Sequence, residues 1–246
     1  MKIFRHLALV ILLILPPFSA LAQEPAKPQR PSSDSVRKAR KLLKRLSPEA
    51  KIGQLVHIGL NARYLHRESA EFKRLKADVT ERKVGGVIVF AGPVYETVHL
   101  VNRLQQAAEI PLLISADFES GVGMRLEDTV NLPWAMAIGA AGNEGLARAA
   151  GALTGREARA VGVHMVFAPV IDINDNPLNP VINVRSFGED ASLVSRMGLA
   201  FAEGLQNERV IATAKHFPGH GNTAVDSHIG LPVLDFTAEA IEAKEL

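Results

Sequence analysis

Five short apolar runs, alternating with longer stretches of helical periodicity, constrain this chain more than any other feature of its sequence. Leu55 to Leu60 is the first strand candidate, followed by a charged helical pattern from Arg67 to Lys83. Val84 to Phe90, Pro111 to Ala116, Val163 to Val170 and Val210 to Ala214 repeat the theme. Between them lie helical patterns over Tyr95 to Ala108, Gly142 to Val161 and Leu193 to Asn207. Strands of about six residues alternating with helices of roughly 12 to 18 mean βα units and a parallel sheet. Runs this continuously apolar are what a buried parallel strand requires. No G-x-G-x-x-G fingerprint accompanies them, so the pattern favours a (β/α)8 barrel over a dinucleotide-binding sheet. A complete barrel takes about 250 residues. The chain has 246 in all and ends within a further helical pattern, Thr237 to Leu246, so an incomplete TIM-type α/β barrel of five to six βα units is expected.

Upstream of the strands the composition changes. Lys2 and Arg5, the unbroken apolar run Leu7 to Leu15 and an Ala-x-Ala ending at Ala22 make residues 1–22 read as a secretory signal peptide, too short in its apolar part to span a bilayer. Export to a periplasmic or extracellular location follows, with no transmembrane span once the leader is removed. Residues 23–35, rich in proline, serine and charge, read as a disordered linker, and 36–246 as the barrel. Val36 to Leu46 is a basic amphipathic helix expected to pack Val36, Ala39, Leu43 and Leu46 on the barrel. Ser47-Pro48-Glu49 then starts a helix with a serine cap and proline in its first position. Without cysteine there is no disulfide, no thiolate chemistry and no lipid-modified leader. Losing Lys2 and Arg5 leaves 26 of the 28 basic residues against 26 acidic ones, a near-neutral chain with no sign of a nucleic-acid partner.

Chemistry gathers just past the strands, the end at which barrels place their sites. Asp117 follows the third run and Arg125 lies eight residues on. Asn183-Val184-Arg185 follows the fourth, and Lys215-His216 ends the fifth. A carboxylate, two guanidiniums, an ammonium and an imidazole can together hydrogen-bond a ring of hydroxyls. Singly, each has an ordinary structural use: Asp117 as a helix cap, Arg185 paired with Glu189 or Asp190. Beyond Lys215 the chain enters a loop with two glycines and a proline that carries His216, His220, Asp226 and His228. Residues two apart in an extended segment face the same way, so Asp226 can orient the His228 ring and stabilise its imidazolium. A histidine held like that serves as general acid and then base. His220 and Asn222 read as loop architecture. A different class, a metal hydrolase using His216, His220, Asp226 and His228 as ligands, meets the obstacle that Pro218-Gly219 forbids a helical His pair.

The run KHFPGHGNTAVDSHIGLP (Lys215 to Pro232) closely resembles the corresponding segment of glycoside hydrolase family 3, in its β-N-acetylglucosaminidase (β-hexosaminidase) branch. DFESGVGMRL (Asp117 to Leu126), NPVINVRSFGED (Asn179 to Asp190) and SPEAKIGQL (Ser47 to Leu55) match in the family's order. The resemblance covers Ser47 to Leu246. It implies a TIM-type barrel that removes terminal non-reducing β-linked N-acetylglucosamine, with retention, from peptidoglycan fragments or chitooligosaccharides. Carried over by motif, Asp117, Arg125, Arg185, Lys215 and His216 bind the sugar, His228 is the acid/base and Asp226 its partner. No cofactor and no metal is implied. Two departures stand out. The family's nucleophilic aspartate falls on a later strand, beyond Leu246, and Asp172 comes too early in the motif order to replace it, so this chain alone is expected to be inactive. DFESGVGMRL also differs from the commoner form, which has glutamine after the aspartate and Glu-Gly-Gly next. A β-glucosidase of the same family and a non-catalytic sugar-binding protein are the remaining alternatives.

Overall fold

The structure is a computed structural model that describes residues 31–234 and 236–245. The expected leader and all but the end of the expected linker lie outside the described residues. In chain order the elements are α1 (Ser33–Arg45), α2 (Pro48–Gly53), β1 (His57–Asn61), α3 (Ala70–Thr80), β2 (Gly86–Ala91), α4 (Val94–Ala107) and β3 (Leu113–Ala116). They continue with α5 (Ala135–Ala140), α6 (Glu144–Ala160), β4 (Met165–Val166), α7 (Ala191–Asn207), β5 (Ile211–Ala212) and α8 (Ala238–Lys244). The five strands form one sheet in the order β1-β2-β3-β4-β5, every neighbouring pair parallel. Sequential order with a helix after each strand is the arrangement of a βα barrel wall.

Local chemistry explains most boundaries. Ser47, Ser69, Asn143 and Asp190 each accept a backbone N–H of the following first turn, which satisfies donors that an uncapped α2, α3, α6 or α7 would leave bare. Val87, Val89, Ile114, Ala116 and Val166 are fully buried in the sheet. Phe72, Leu75 and Val79 of α3, Leu100, Val101 and Leu104 of α4, and Val194, Met197, Phe201 and Leu205 of α7 cover it. Helices α6 and α7 meet backbone to backbone. A Cβ on Gly151 would lie 2.1 Å from the Phe201 carbonyl oxygen, so only glycine permits that approach.

Three expectations need correction. The fourth and fifth strands are two residues each rather than the eight and five the apolar runs suggested. Pro169 has no N–H to give the ladder. The two segments nevertheless stay together: Thr213 N donates to Ala168 O, Lys215 N to Pro169 O and Ile171 N to Lys215 O. Helix α5 was not anticipated; six residues of Ala-Met-Ala-Ile-Gly-Ala have no polar face to set a period. Finally α1, which starts at Ser33 inside the expected linker, buries none of its residues, and Leu43 remains 54% exposed. Its C-cap Leu46 is extended, as is Ser47, which precedes Pro48, and the chain turns there instead of laying α1 along the sheet. No helix among the described residues is long and apolar enough to cross a membrane.

Candidate active site

Past the end of β3 the chain runs through Asp117-Phe118-Glu119. Phe118 is fully buried in the core, so alternation turns Asp117 and Glu119 the other way, off the sheet's C-terminal end. Gly121, at φ +86°, then starts a short 3-10 turn over Val122–Met124 that ends at Arg125. That turn brings the Arg125 guanidinium back to donate to Asp117 Oδ2 at 2.9 Å. A second 3-10 turn, Asn183–Arg185, aims Arg185 at Glu119: Nε donates to Oε2 and Nη2 to Oε1, both at 2.8 Å. Lys215, fixed by its place beside Pro169 and Ile171, donates to Asp117 Oδ1 at 2.8 Å and lies 2.6 Å from Glu119 Oε1.

Asp172 completes the group. Its carboxylate is fully buried; Oδ2 lies 2.6 Å from His216 Nδ1, and Oδ1 accepts the backbone N–H groups of His216 and His220. His216 Nε2 in turn lies 3.3 Å from Arg185 Nη2. The Lys215–His216 and Phe217–Pro218 peptide bonds are cis. Three carboxylates, Asp117, Glu119 and Asp172, thus meet three permanent cations, Arg125, Arg185 and Lys215. Burial pushes the Glu119 carboxyl up, but the Arg185 fork and Lys215 outweigh it and hold the group below the usual carboxylate range. Burial also works against charge on Arg185, and Glu119, helped by Asp172 and Asp117, raises its pKa above the ordinary value instead.

The loop after His216 rests on residues 172–179. Asn179 Nδ2 donates to the carbonyls of His220 and Gly221, at 2.8 and 3.0 Å. The His220 ring lies 2.6 Å from Thr223 Oγ1 and 3.0 Å from Ser227 Oγ, and Asn222 donates to Asp175, so both residues hold the loop's shape. Asp226 and His228 pair, with Nδ1 and Oδ1 2.7 Å apart. The backbone between them is a turn rather than the extended segment expected, because Asp226 Oδ1 also accepts the His228 N–H and its carbonyl accepts from Ile229 and Gly230. Those bonds to His228, the backbone N–H first and the imidazole next, hold the Asp226 carboxyl below its ordinary value.

Of the residues singled out from sequence, the structure unites Asp117, Arg125, Arg185, Lys215 and His216 in one hydrogen-bonded cluster. It leaves Asp226 and His228 outside that cluster: the His228 side chain is 76% exposed and hydrogen-bonds Asp226. Their link inward is Ser227, bonded to His220, whose ring centroid lies 5.9 Å from that of His216. Two members were missed. Glu119 carried a signal in the sequence, its position two residues after Asp117. Asp172 was weighed only as a nucleophile; its grip on His216 spans 44 residues and has no local signature. Among the described residues no three His, Asp or Glu side chains converge as metal ligands.

Known proteins share this arrangement of elements. The family whose sequence profile matches is "Glycosyl hydrolase family 3 N terminal domain", over residues 47–246. A β-hexosaminidase A of Pseudoalteromonas piscicida is 39% identical over 182 residues, which is 68% of this chain and 30% of that protein. A solved β-N-acetylglucosaminidase from Paenibacillus sp. str. FPU-7 superposes with a TM-score of 0.73 at 44% identity, over 81% of this chain and 38% of its own. A β-glucoside phosphorylase superposes with a TM-score of 0.80 at 30% identity, over 89% of this chain and 38% of its own. The chain therefore spans about a third of the length of each.

Proposed function

This chain belongs to glycosyl hydrolase family 3, and from that premise we propose that the protein removes terminal β-linked N-acetylglucosamine from a glycan. The observation that carries the reading is the cluster at the ends of β3, β4 and β5. Its carboxylates and cations bond one another, with the buried Arg125 Nε left without a partner, and a sugar's hydroxyls can replace those bonds donor for donor and acceptor for acceptor. The names of two relatives, a hexosaminidase and an N-acetylglucosaminidase, point to the same sugar. Asp117, Arg125, Arg185, Lys215 and His216 hold it, and Glu119 and Asp172 set the posture of Arg185, Lys215 and His216.

His228 then protonates the departing glycosidic oxygen and later takes a proton from water, while Asp226, kept ionised, steadies the imidazolium between the two steps. Closure of the 216–230 loop over the sugar brings the exposed imidazole to that oxygen. Retention needs a second carboxylate as nucleophile, about 5–5.5 Å from the acid in glycosidases that use two. Asp117, Glu119 and Asp172 are each engaged by cations or by His216, so we assign the nucleophile to a strand end outside the five present. Residues 1–22 are proposed as an export signal, placing the enzyme where peptidoglycan fragments or chitooligosaccharides are met.

Leaving-group dependence tests the assignment. In protein carrying its nucleophile, His228→Ala should slow unactivated N-acetylglucosaminides by about 100-fold or more, and 2,4-dinitrophenyl glycosides by much less, since an activated phenolate departs without a proton. Equal losses would remove His228 from the role. Residues 23–246 alone should bind N-acetylglucosamine without turning over its aryl glycosides. A second reading follows from the phosphorylase neighbour: a neutral imidazole base, unlike a carboxylate, does not repel an attacking phosphate. Sugar 1-phosphate formed only when inorganic phosphate is present would favour it.

A further inference from the structure

The loop after β1 and the first turns of α4 enclose a groove of about 270 Å3 lined by Tyr64, Leu65, Tyr95, His99, Leu100 and Arg103 among others. The whole chain has two tyrosines, and both are here. They are 77% and 69% exposed, so their rings do nothing for the core. Beside them the His99 ring lies 4.3 Å from that of Tyr95, centroid to centroid. The groove is built, not incidental. Arg103 donates to the Leu65 carbonyl at 2.6 Å and lays its guanidinium 3.6 Å from the centre of the Phe72 ring, which pins the loop to α4. Leu65 and Leu100 are buried and give it an apolar base.

Its position relates it to the cluster. Tyr64 lies three residues past β1 and Tyr95 four past β2, both at the sheet end that carries Asp117 and Lys215. The turn leading into α4 is tied to the loop that presents Arg125: Gly92 N donates to Arg125 O at 3.1 Å and Val94 N to Asp128 Oδ1 at 2.8 Å. We propose that this groove binds the sugars of a β-linked N-acetylglucosamine chain that lie beyond the residue held at the cluster. A pyranose offers a flat face of C–H groups and a rim of hydroxyls. A tyrosine, apolar across the ring and polar at its tip, matches both. The inference rests on the proposed sugar specificity and adds a preference for longer chains.

Titration calorimetry on this chain tests it, with N-acetylglucosamine and its β-1,4-linked pentamer as ligands. The pentamer should bind about tenfold more tightly than the monosaccharide. Tyr64→Ala/Tyr95→Ala should bring the pentamer to within about twofold of the monosaccharide, leave the monosaccharide unchanged and leave the circular dichroism intact. Tyr64→Phe/Tyr95→Phe should retain most of the advantage, because the rings remain. A pentamer bound no more tightly than the monosaccharide, or a preference that survives the double alanine change, overturns the groove's role while leaving the sugar site standing. Failure of wild-type protein to bind either ligand overturns both.

Discussion

Glu119→Gln removes one charge from the balanced cluster and leaves every atom position filled. In the wild type the carboxylate is 4% exposed, accepts two guanidinium N–H groups of Arg185 at 2.8 Å and faces Lys215 Nζ at 2.6 Å. An amide offers one oxygen to those donors and points its own NH2 at the rest. Removing one partner of a buried pair costs about 3–5 kcal/mol, because the remaining charge stays desolvated. Here Asp117 still accepts from Lys215 at 2.8 Å, which argues for the lower end, about 3 kcal/mol. Urea denaturation of this chain at pH 7 measures the difference. The pH dependence supplies an independent sign. A carboxyl whose folded pKa is depressed adds stability above its unfolded value, about 4.3 for glutamate, and loses it as pH falls through the folded value. The gap between wild type and Glu119→Gln should therefore narrow on acidification below that point. A gap under about 1 kcal/mol at pH 7, the range of an exposed pair, or one that does not change with pH, would refute the reading of Glu119 as the cluster's central anion.

Two further outcomes follow from geometry already given. Gly151→Ala should lower stability by about 1–3 kcal/mol, despite the helix preference for alanine, because its Cβ would stand 2.1 Å from the Phe201 carbonyl oxygen; a rise in the urea midpoint would deny the close approach of α6 and α7. A carbon-13 titration should give Asp226 a midpoint below the usual aspartate value of about 3.9, moving up toward it when His228 is replaced by alanine. A midpoint indifferent to that replacement would mean the two side chains do not pair in solution.

Much of this was legible in the residues because parallel βα folding is a local code. Ser47-Pro48-Glu49 announces a helix, and a run such as Val84 to Phe90 announces a strand without help from distant parts. The strand-end cluster was readable for the same reason, since a strand's last residue and its site are neighbours in sequence. What failed was non-local or too short. Where β4 and β5 stop is set by pairing between segments distant in sequence, and α5 is shorter than the two turns a period needs. The exposure of α1 could not be foreseen from its amphipathic pattern, which says which face is apolar and not whether anything covers it. Asp226 and His228 were paired correctly for the wrong reason: the side chain of Asp226 folds the backbone back, and a turn does what an extended segment was expected to do.

Because its anions and cations are equal in number, with Asp117 and Glu119 bonded directly to the cations and Asp172 to His216 beside Arg185, the group past β3 is a set of short dipoles rather than a net charge. Its potential fades well inside a Debye length, about 8 Å at physiological salt. Visitors are neither steered in nor turned away by an overall sign. Selection happens only at contact, where an arriving molecule must wedge its own donors and acceptors into pairs 2.6 to 2.9 Å long. Such a lock is blind to ionic strength and suits an uncharged polyol.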